Sequence, residues 1–264
     1  MSAEVTGGPL DGSVPPADGP AASADGPAAP ADGMLPRDAA YWAAPVSKLV
    51  AASEEVRRRG LDGRQLMGPQ QGFGQLWQRT HRMPLTAVDR TPEEVVALWK
   101  ERFGDFWPRG ARFLPSMAGI APGETAALDM GFGQAVVLST GVFVMYSDDT
   151  SFTYMTPEGH ALAGWITFSA EEDRGTTVAQ ISMLLRPADP VVEFTYVLGG
   201  GRVEDRFWQG TLRNLGAALG VQGAPVETTV VRLDPRRQWH NARNIRHFGG
   251  MRSVLRGFRA PRGG

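Results

Sequence analysis

Cysteine is absent from the 264 residues, which excludes disulfides, thiolate nucleophiles, iron–sulfur clusters and cysteine-ligated zinc. Histidine is scarce. His81, His160, His240 and His247 are the four in the chain, and none forms an HExxH segment or an i,i+4 pair, so no metal is expected. No Gly-x-Ser-x-Gly elbow surrounds Ser139, Ser147, Ser151 or Ser169, which leaves serine-hydrolase chemistry without support. Gly199-Gly200-Gly201 lacks dinucleotide-loop spacing and precedes no Lys-Ser/Thr pair, so it reads as a kink opening a helix, and no cofactor is expected. No window approaches the ~18 consecutive apolar residues of a membrane span. The Met1-Ser2-Ala3-Glu4 start has neither the basic nor the apolar segment of a signal peptide. A cytoplasmic location is the expectation.

What is present is unevenly spread. Residues 1–36 hold Glu4, Asp11, Asp18, Asp25 and Asp32 with no Lys or Arg, a balance of −5. Their Ala-Asp-Gly repeat, at Asp18, Asp25 and Asp32, carries no apolar side chain larger than Ala or Pro. It cannot bury enough surface to offset its ordering entropy, so a disordered acidic leader is expected. Residues 232–264 hold nine arginines against Asp234, a balance of +8. The net charge of −1 conceals both.

Between the tails the patterns change twice. Tyr41, Trp42, Val46, Leu49, Val50 and Val56 have the spacing of a short helix that Gly60, Gly63 and Gly68-Pro69 end. Residues 76–88 read as extended. Thr91, Pro92 and Glu94 form a capping box with proline at the first helical position, and Val95, Leu98, Trp99 and Phe103 follow on one face. From 124 to 186 the chain reads as an antiparallel meander. Its turns are expected at Thr140-Gly141, Asp148-Asp149, Thr156–Gly159 and the solvated tip 171–175, with Ile181, Met183 and Leu185 on one strand face. Asp189-Pro190 then offers a cap, and Trp208, Leu212, Leu215 and Leu219 stripe the longest helix.

This order predicts an α+β fold with helices on one face of a sheet. The order, the stretch from Met155 through Gly164, Trp165 and Phe168, and the Arg186-Pro187-Ala188-Asp189-Pro190 entry to the last helix resemble the helix-grip superfamily of START and Bet v 1-like proteins (SRPBCC). More narrowly they resemble a bacterial domain-of-unknown-function branch of it. The resemblance covers residues 76–220. It implies a curved antiparallel sheet wrapped around a long C-terminal helix with an apolar cavity between them. Members bind lipids, sterols, polyketides or aromatic products, and some are cyclases or hydrolases. Residues 37–75 then form a helical or irregular extension and 221–264 a basic one.

No catalytic constellation stands out. A lone His160 after a turn is more readily a solvent-satisfied residue than an acid or base. Tyr146, Tyr154 and Trp165 join apolar area to a polar tip, so with His160 and Met183 they are the expected ligand-binding residues. Binding of an apolar or aromatic small molecule or lipid ranks first, with no catalysis. An enzyme of the polyketide cyclase or dehydratase type, using His160 with Tyr146 or Tyr154, ranks second. An interaction protein acting through its charged tails ranks third. In 251–259, Met251, Val254, Leu255 and Phe258 share one helical face and Arg252, Arg256 and Arg259 another. Docking of that stripe on the domain ranks above an anionic membrane surface, and nucleic acid ranks last. The sequence leaves the oligomeric state open.

Because the leader has no means of building a core, deleting residues 1–36 is expected to leave the melting temperature within a degree or two of the parent, about the scale of a change under 0.5 kcal/mol. A large drop in a thermal melt would move the domain boundary.

Overall fold

The computed structural model describes residues 39–247 except 52, 87, 133, 134 and 222. The 1–36 leader and the 251–259 stripe lie outside the described residues.

Along the chain come α1 (Glu54–Arg58), β1 (Leu66–Met67), β2 (Leu76–Pro84), α2 (Pro92–Glu101), β3 (Arg112–Leu114), β4 (Thr125–Phe132), β5 (Ala135–Ser147), β6 (Ser151–Pro157), β7 (Leu162–Asp173) and β8 (Thr176–Pro187). Then follow α3 (Pro190–Thr195), α4 (Gly201–Ala218) and β9 (Glu227–Asp234). Local chemistry sets several of these boundaries. The Thr91 hydroxyl accepts from the Glu94 amide while the Glu94 carboxylate accepts from the Thr91 amide, closing the capping box of α2. Asp189 caps α3 by accepting from the amides of Val191 and Val192 at 2.8 and 3.0 Å, with Pro190 at the first position.

The strands pair antiparallel in the order β3-β4-β5-β6-β7-β8-β2-β9, with β1 on β6. With α4 packed across the sheet this is a helix-grip fold. Residues paired across a ladder share a face, so the registers sort the side chains. Phe152, Phe168, Ile181 and His81 are aligned on the concave, helix-facing side, as are Tyr154, Ile166, Met183 and Arg79. There Phe152, Tyr154, Phe168, Ile181 and Met183 join one buried cluster with Val95, Val96 and Trp99 of α2 and Leu212 and Leu215 of α4, and Ile166 packs against it.

The convex face carries a second, smaller core. Leu49, Val56 and Leu61 of the N-terminal extension bury themselves on Ala127 of β4 and Phe143 of β5. Arg59 fastens this layer through a two-point contact with Asp129 of β4, at 3.2 and 2.7 Å, and through Glu55 at 2.7 Å. The C-terminal segment is fastened too. Arg186 is buried and donates to the Gly74 and Arg236 carbonyls and to Asp234. Asn241 donates to the Gln70 and Gly72 carbonyls, and Asn244 to those of Gln71 and Ala188.

Several expectations change. The helix read from Tyr41 to Val56 contracts to five-residue α1, because Trp42 bridges Tyr146 and Lys48 bridges Gln65 in extended form. Thr140-Gly141 is not a turn. β5 runs straight through it, and Gly141 is required because a Cβ would lie 2.5 Å from Leu61 Cδ1 and 2.7 Å from the Ala126 carbonyl. The β7–β8 tip is the two-residue turn Arg174-Gly175, with φ of 52° and 76°, not a five-residue loop. The turn after β6 closes from Pro157 to His160, one residue later than expected. β9 was not foreseen, although its Thr-Thr-Val-Val run has strand chemistry; it extends the sheet past residue 220. The kink at the triple glycine is present, with Gly199 at φ 132° between α3 and α4. Among the described residues no helix is long and apolar enough to cross a membrane.

Leu61→Ala empties a fully buried position between the extension and the sheet. It is expected to destabilise the protein by about 2–5 kcal/mol in a denaturant titration. A loss under 1 kcal/mol would mean that the extension contributes little to the fold.

Candidate functional site

The concave interior is an aromatic wall. Phe152 and Phe168 stack at 4.9 Å and 12°, and Phe103 meets Phe113 and Phe168 edge-on at 4.7 and 4.8 Å. Trp99, Trp107, Tyr154 and Trp208 close around them. These rings fill much of the space in which a cavity between sheet and helix was expected. Open volume is found at the edge of α4. A cleft of about 570 Å³ runs between the C-terminal half of α4 (Gly210, Ala217) and the segment after α2. Phe106 and Trp107 line it and are themselves members of the aromatic core, while Arg109 and Asn214 are exposed. The Asn214 amide donates to the Phe106 carbonyl at 3.0 Å and holds the two sides together.

Polar atoms are set into this wall without protein partners: the Tyr154 hydroxyl, the indole nitrogens of Trp99 and Trp107, and the Thr140 hydroxyl. Burial pushes the Tyr154 phenol well above its ordinary range. An unpaired buried polar group costs about 1–3 kcal/mol.

A second constellation lies at the other end of α4. Strand alternation turns Arg79 and His81 of β2 to the same side, against the first turn of α4. Arg79 donates to Asp205 at 2.6 Å and lies 5.2 Å over the Tyr196 ring. Tyr196 donates to Glu204 at 2.7 Å. His81 is fully buried, with Nδ1 2.9 Å from the Thr228 hydroxyl of β9 and Nε2 3.6 Å from Asp205. Gln209 donates to the same hydroxyl at 3.0 Å. Burial raises Glu204 from 4.5 to about 7, against the opposing pull of Tyr196 and Arg79. Burial also lowers His81 to about 4, outweighing the attraction of Asp205.

The five residues expected to bind ligand do not converge. Tyr154 and Met183 lie on the concave side, in the aromatic core. Trp165 pairs with Met155 and Leu184 and is on the convex face, half-buried. A register shift between Val144 and Tyr146 puts Tyr146 opposite Thr153 on that same convex face, beneath Trp42 at 4.6 Å. Its hydroxyl donates to Asp148, which also accepts from the Thr150 and Ser151 amides and so builds the β5–β6 turn. His160 sits in the turn after β6, where its Nδ1 accepts from the Leu162 amide at 3.0 Å. Burial lowers it to about 4. The Arg79–Glu204 cluster and the Phe106–Trp107 cleft were not foreseen. The i,i+2 spacing of Arg79 and His81 on a strand was the one available signal, and it names no partner. Among the described residues no three metal-ligating side chains come together.

No family model and no curated protein matches this sequence. Solved structures resemble part of it. The di-domain ARO/CYC StfQ from the steffimycin biosynthetic pathway aligns at 13% identity over 54% of this chain and 50% of that one, with a TM-score of 0.43. The match therefore spans about half the length of that structure. Protein Ms6760 from Mycobacterium smegmatis aligns at 15% over 54% and 90%, with a TM-score of 0.38. Ara h 8.0201 aligns at 11% over 55% and 97%, with a TM-score of 0.37. At these scores the likeness transfers neither ligand nor activity to this chain.

The raised Glu204 has a defined signature. A carboxyl whose folded pKa lies above its unfolded value contributes stability below about pH 4.5, and that contribution is lost as the pH rises through about 7. Glu204→Gln keeps the acceptor for Tyr196 and removes the ionisation. The variant is expected to gain about 2–3 kcal/mol on the parent above pH 7 and nothing at pH 4. Denaturant melts across that range measure it; a difference that does not change with pH would refute the shift.

Proposed function

We propose that this protein binds an apolar or aromatic small molecule, lipid-like or polyketide-like, in the cleft between α4 and the Phe106–Trp107 segment. One observation carries the reading: the roughly 570 Å³ cleft is lined by two members of the buried aromatic core. A ligand there lies against rings continuous with the interior. The volume suits a molecule of several rings or a medium acyl chain. The exposed Arg102, Asp105, Arg109 and Asn214 supply polar contacts around the two rings. The site differs from the one expected between sheet and helix, because aromatic side chains already occupy much of that space.

A second reading, general acid–base catalysis on the same scaffold, is favoured by Glu204. A carboxyl near pH 7 beside Tyr196, Arg79 and His81 is the kind of group that exchanges protons at neutral pH. It ranks second because the acids of the cluster are already engaged. Glu204 already accepts from Tyr196 and Asp205 from Arg79, and His160, Tyr146 and Tyr154, the polar groups first considered for catalysis, lie on or next to β5 and β6 rather than β2.

Ala217 is exposed at the edge of the cleft, so Ala217→Trp fills the cleft without entering the core. The aromatic anion anilinonaphthalene sulfonate is the probe. The parent is expected to enhance its fluorescence saturably, and the variant to bind it at least about tenfold more weakly with an unchanged melting temperature. Equal binding by both proteins would remove the cleft from consideration.

A further inference from the structure

The first turns after β8 are built inside out. At Val191, Phe194, Val197 and Leu198, spaced i, i+3, i+6 and i+7, large apolar side chains point to solvent, 47%, 66%, 57% and 70% exposed. The opposite side of the same turns buries Val192, Glu193 and Tyr196. Isolated exposed apolar residues need no explanation, but four on one face form a patch of the kind that marks an interaction site.

The charges around the patch are of one sign. Every acid from Asp189 to Asp205 is turned inward and engaged. Asp189 caps α3, Glu193 accepts from Arg237 at 3.0 Å, Glu204 from Tyr196 and Asp205 from Arg79. The charged side chains this stretch exposes are Arg202 and Arg206. The C-terminal segment 235–247 contains no Asp or Glu. It is tied to the same place by Arg237–Glu193 and by Asn244 to the Ala188 carbonyl at 3.0 Å. That brings exposed Arg236 and Arg237 alongside, with Trp239 73% exposed after them. An indole of this kind seats at the headgroup level of a bilayer.

From this arrangement we infer that the face formed by α3 and the turn Tyr196–Gly200 after it is a docking surface for an anionic lipid bilayer: Phe194, Val197 and Leu198 enter the acyl boundary and the arginines meet the headgroups. Apolar insertion combined with cationic attraction is the physics of interfacial attachment. A second copy of the chain fits less well. A two-fold interface places the same patch on both sides, and here that sets arginine against arginine with no exposed acid in the patch to pair with them. The surface is distinct from the proposed ligand cleft. Val203 and Ala217 stand at opposite ends of α4, about 21 Å apart along the helix, so either assignment can fail without the other.

The test is flotation of the full chain with phosphatidylcholine vesicles, with and without phosphatidylserine. Binding is expected only when phosphatidylserine is present, and to fade as salt is raised. The double variant Phe194→Ser, Leu198→Ser is expected to lose more than about tenfold in partitioning with an unchanged melting temperature, since both side chains are exposed. Arg202→Ala and Arg206→Ala are each expected to cost about fivefold. Absence of flotation overturns the inference. So does flotation that the Phe194/Leu198 variant leaves intact, because another segment would then carry it. Light scattering that shows a dimer which the same variant dissolves would also overturn it.

Discussion

The pairing of β2 with β8, from Trp77–Leu185 to Pro84–Val178, joins an early strand to the last strand of the meander across about a hundred residues of chain. Such a contact is slow to form because loop closure precedes the reward. Its register decides what the concave face contains. A slip of one residue would turn Arg79, His81 and Met83 outward and present Gln78 and Thr80 to α4. Both the aromatic core beneath α4 and the charged cluster at its first turn depend on that one alignment. β9 then pairs on the far side of β2 and supplies Thr228, which completes the environment of His81.

The sheet is used on both faces, though unequally. The concave side holds a continuous aromatic core, and the convex side of β4 and β5 is covered by residues that precede the grip. Each extension is fastened by a charge pair that is partly or wholly withdrawn from solvent, Arg59–Asp129 for the N-terminal one and Arg186–Asp234 for the C-terminal one. The Arg236 amide, Arg186 and the Arg236 guanidinium hold Asp234 well below the usual carboxylate range. Pairs of this kind add little net stability over apolar packing, but breaking one leaves a charge stranded.

The two ends of α4 differ in character for a related reason. At its start, β2 presents charge, so the helix answers with Glu204 and Asp205. At its end, small residues face the turn after α2 and leave a cleft. The kink at Gly199 separates α4 from α3. α3 and the turn after it bury Val192, Glu193 and Tyr196 and expose Val191, Phe194, Val197 and Leu198.

Sequence alone determined the parts that local chemistry controls. The Thr91–Glu94 capping box, the Asp189-Pro190 helix start, the kink at the triple glycine and the alternation of Ile181, Met183 and Leu185 are decided within a few residues of chain, and each is found in the structure. The resemblance carried by Met155–Phe168 and by Arg186–Pro190 named the helix-grip architecture in advance. What tertiary structure decided is everything that needs a partner. Gly141 looked like a turn because nothing in its neighbourhood reveals that Leu61 will press on it from eighty residues away. Tyr146 and Tyr154 looked equivalent until a register shift put them on opposite faces. Arg79 and Glu204, 125 positions apart, carry no mark of each other. A strand's period says which side chains travel together, but only the assembled sheet says which of its faces the helix will cover.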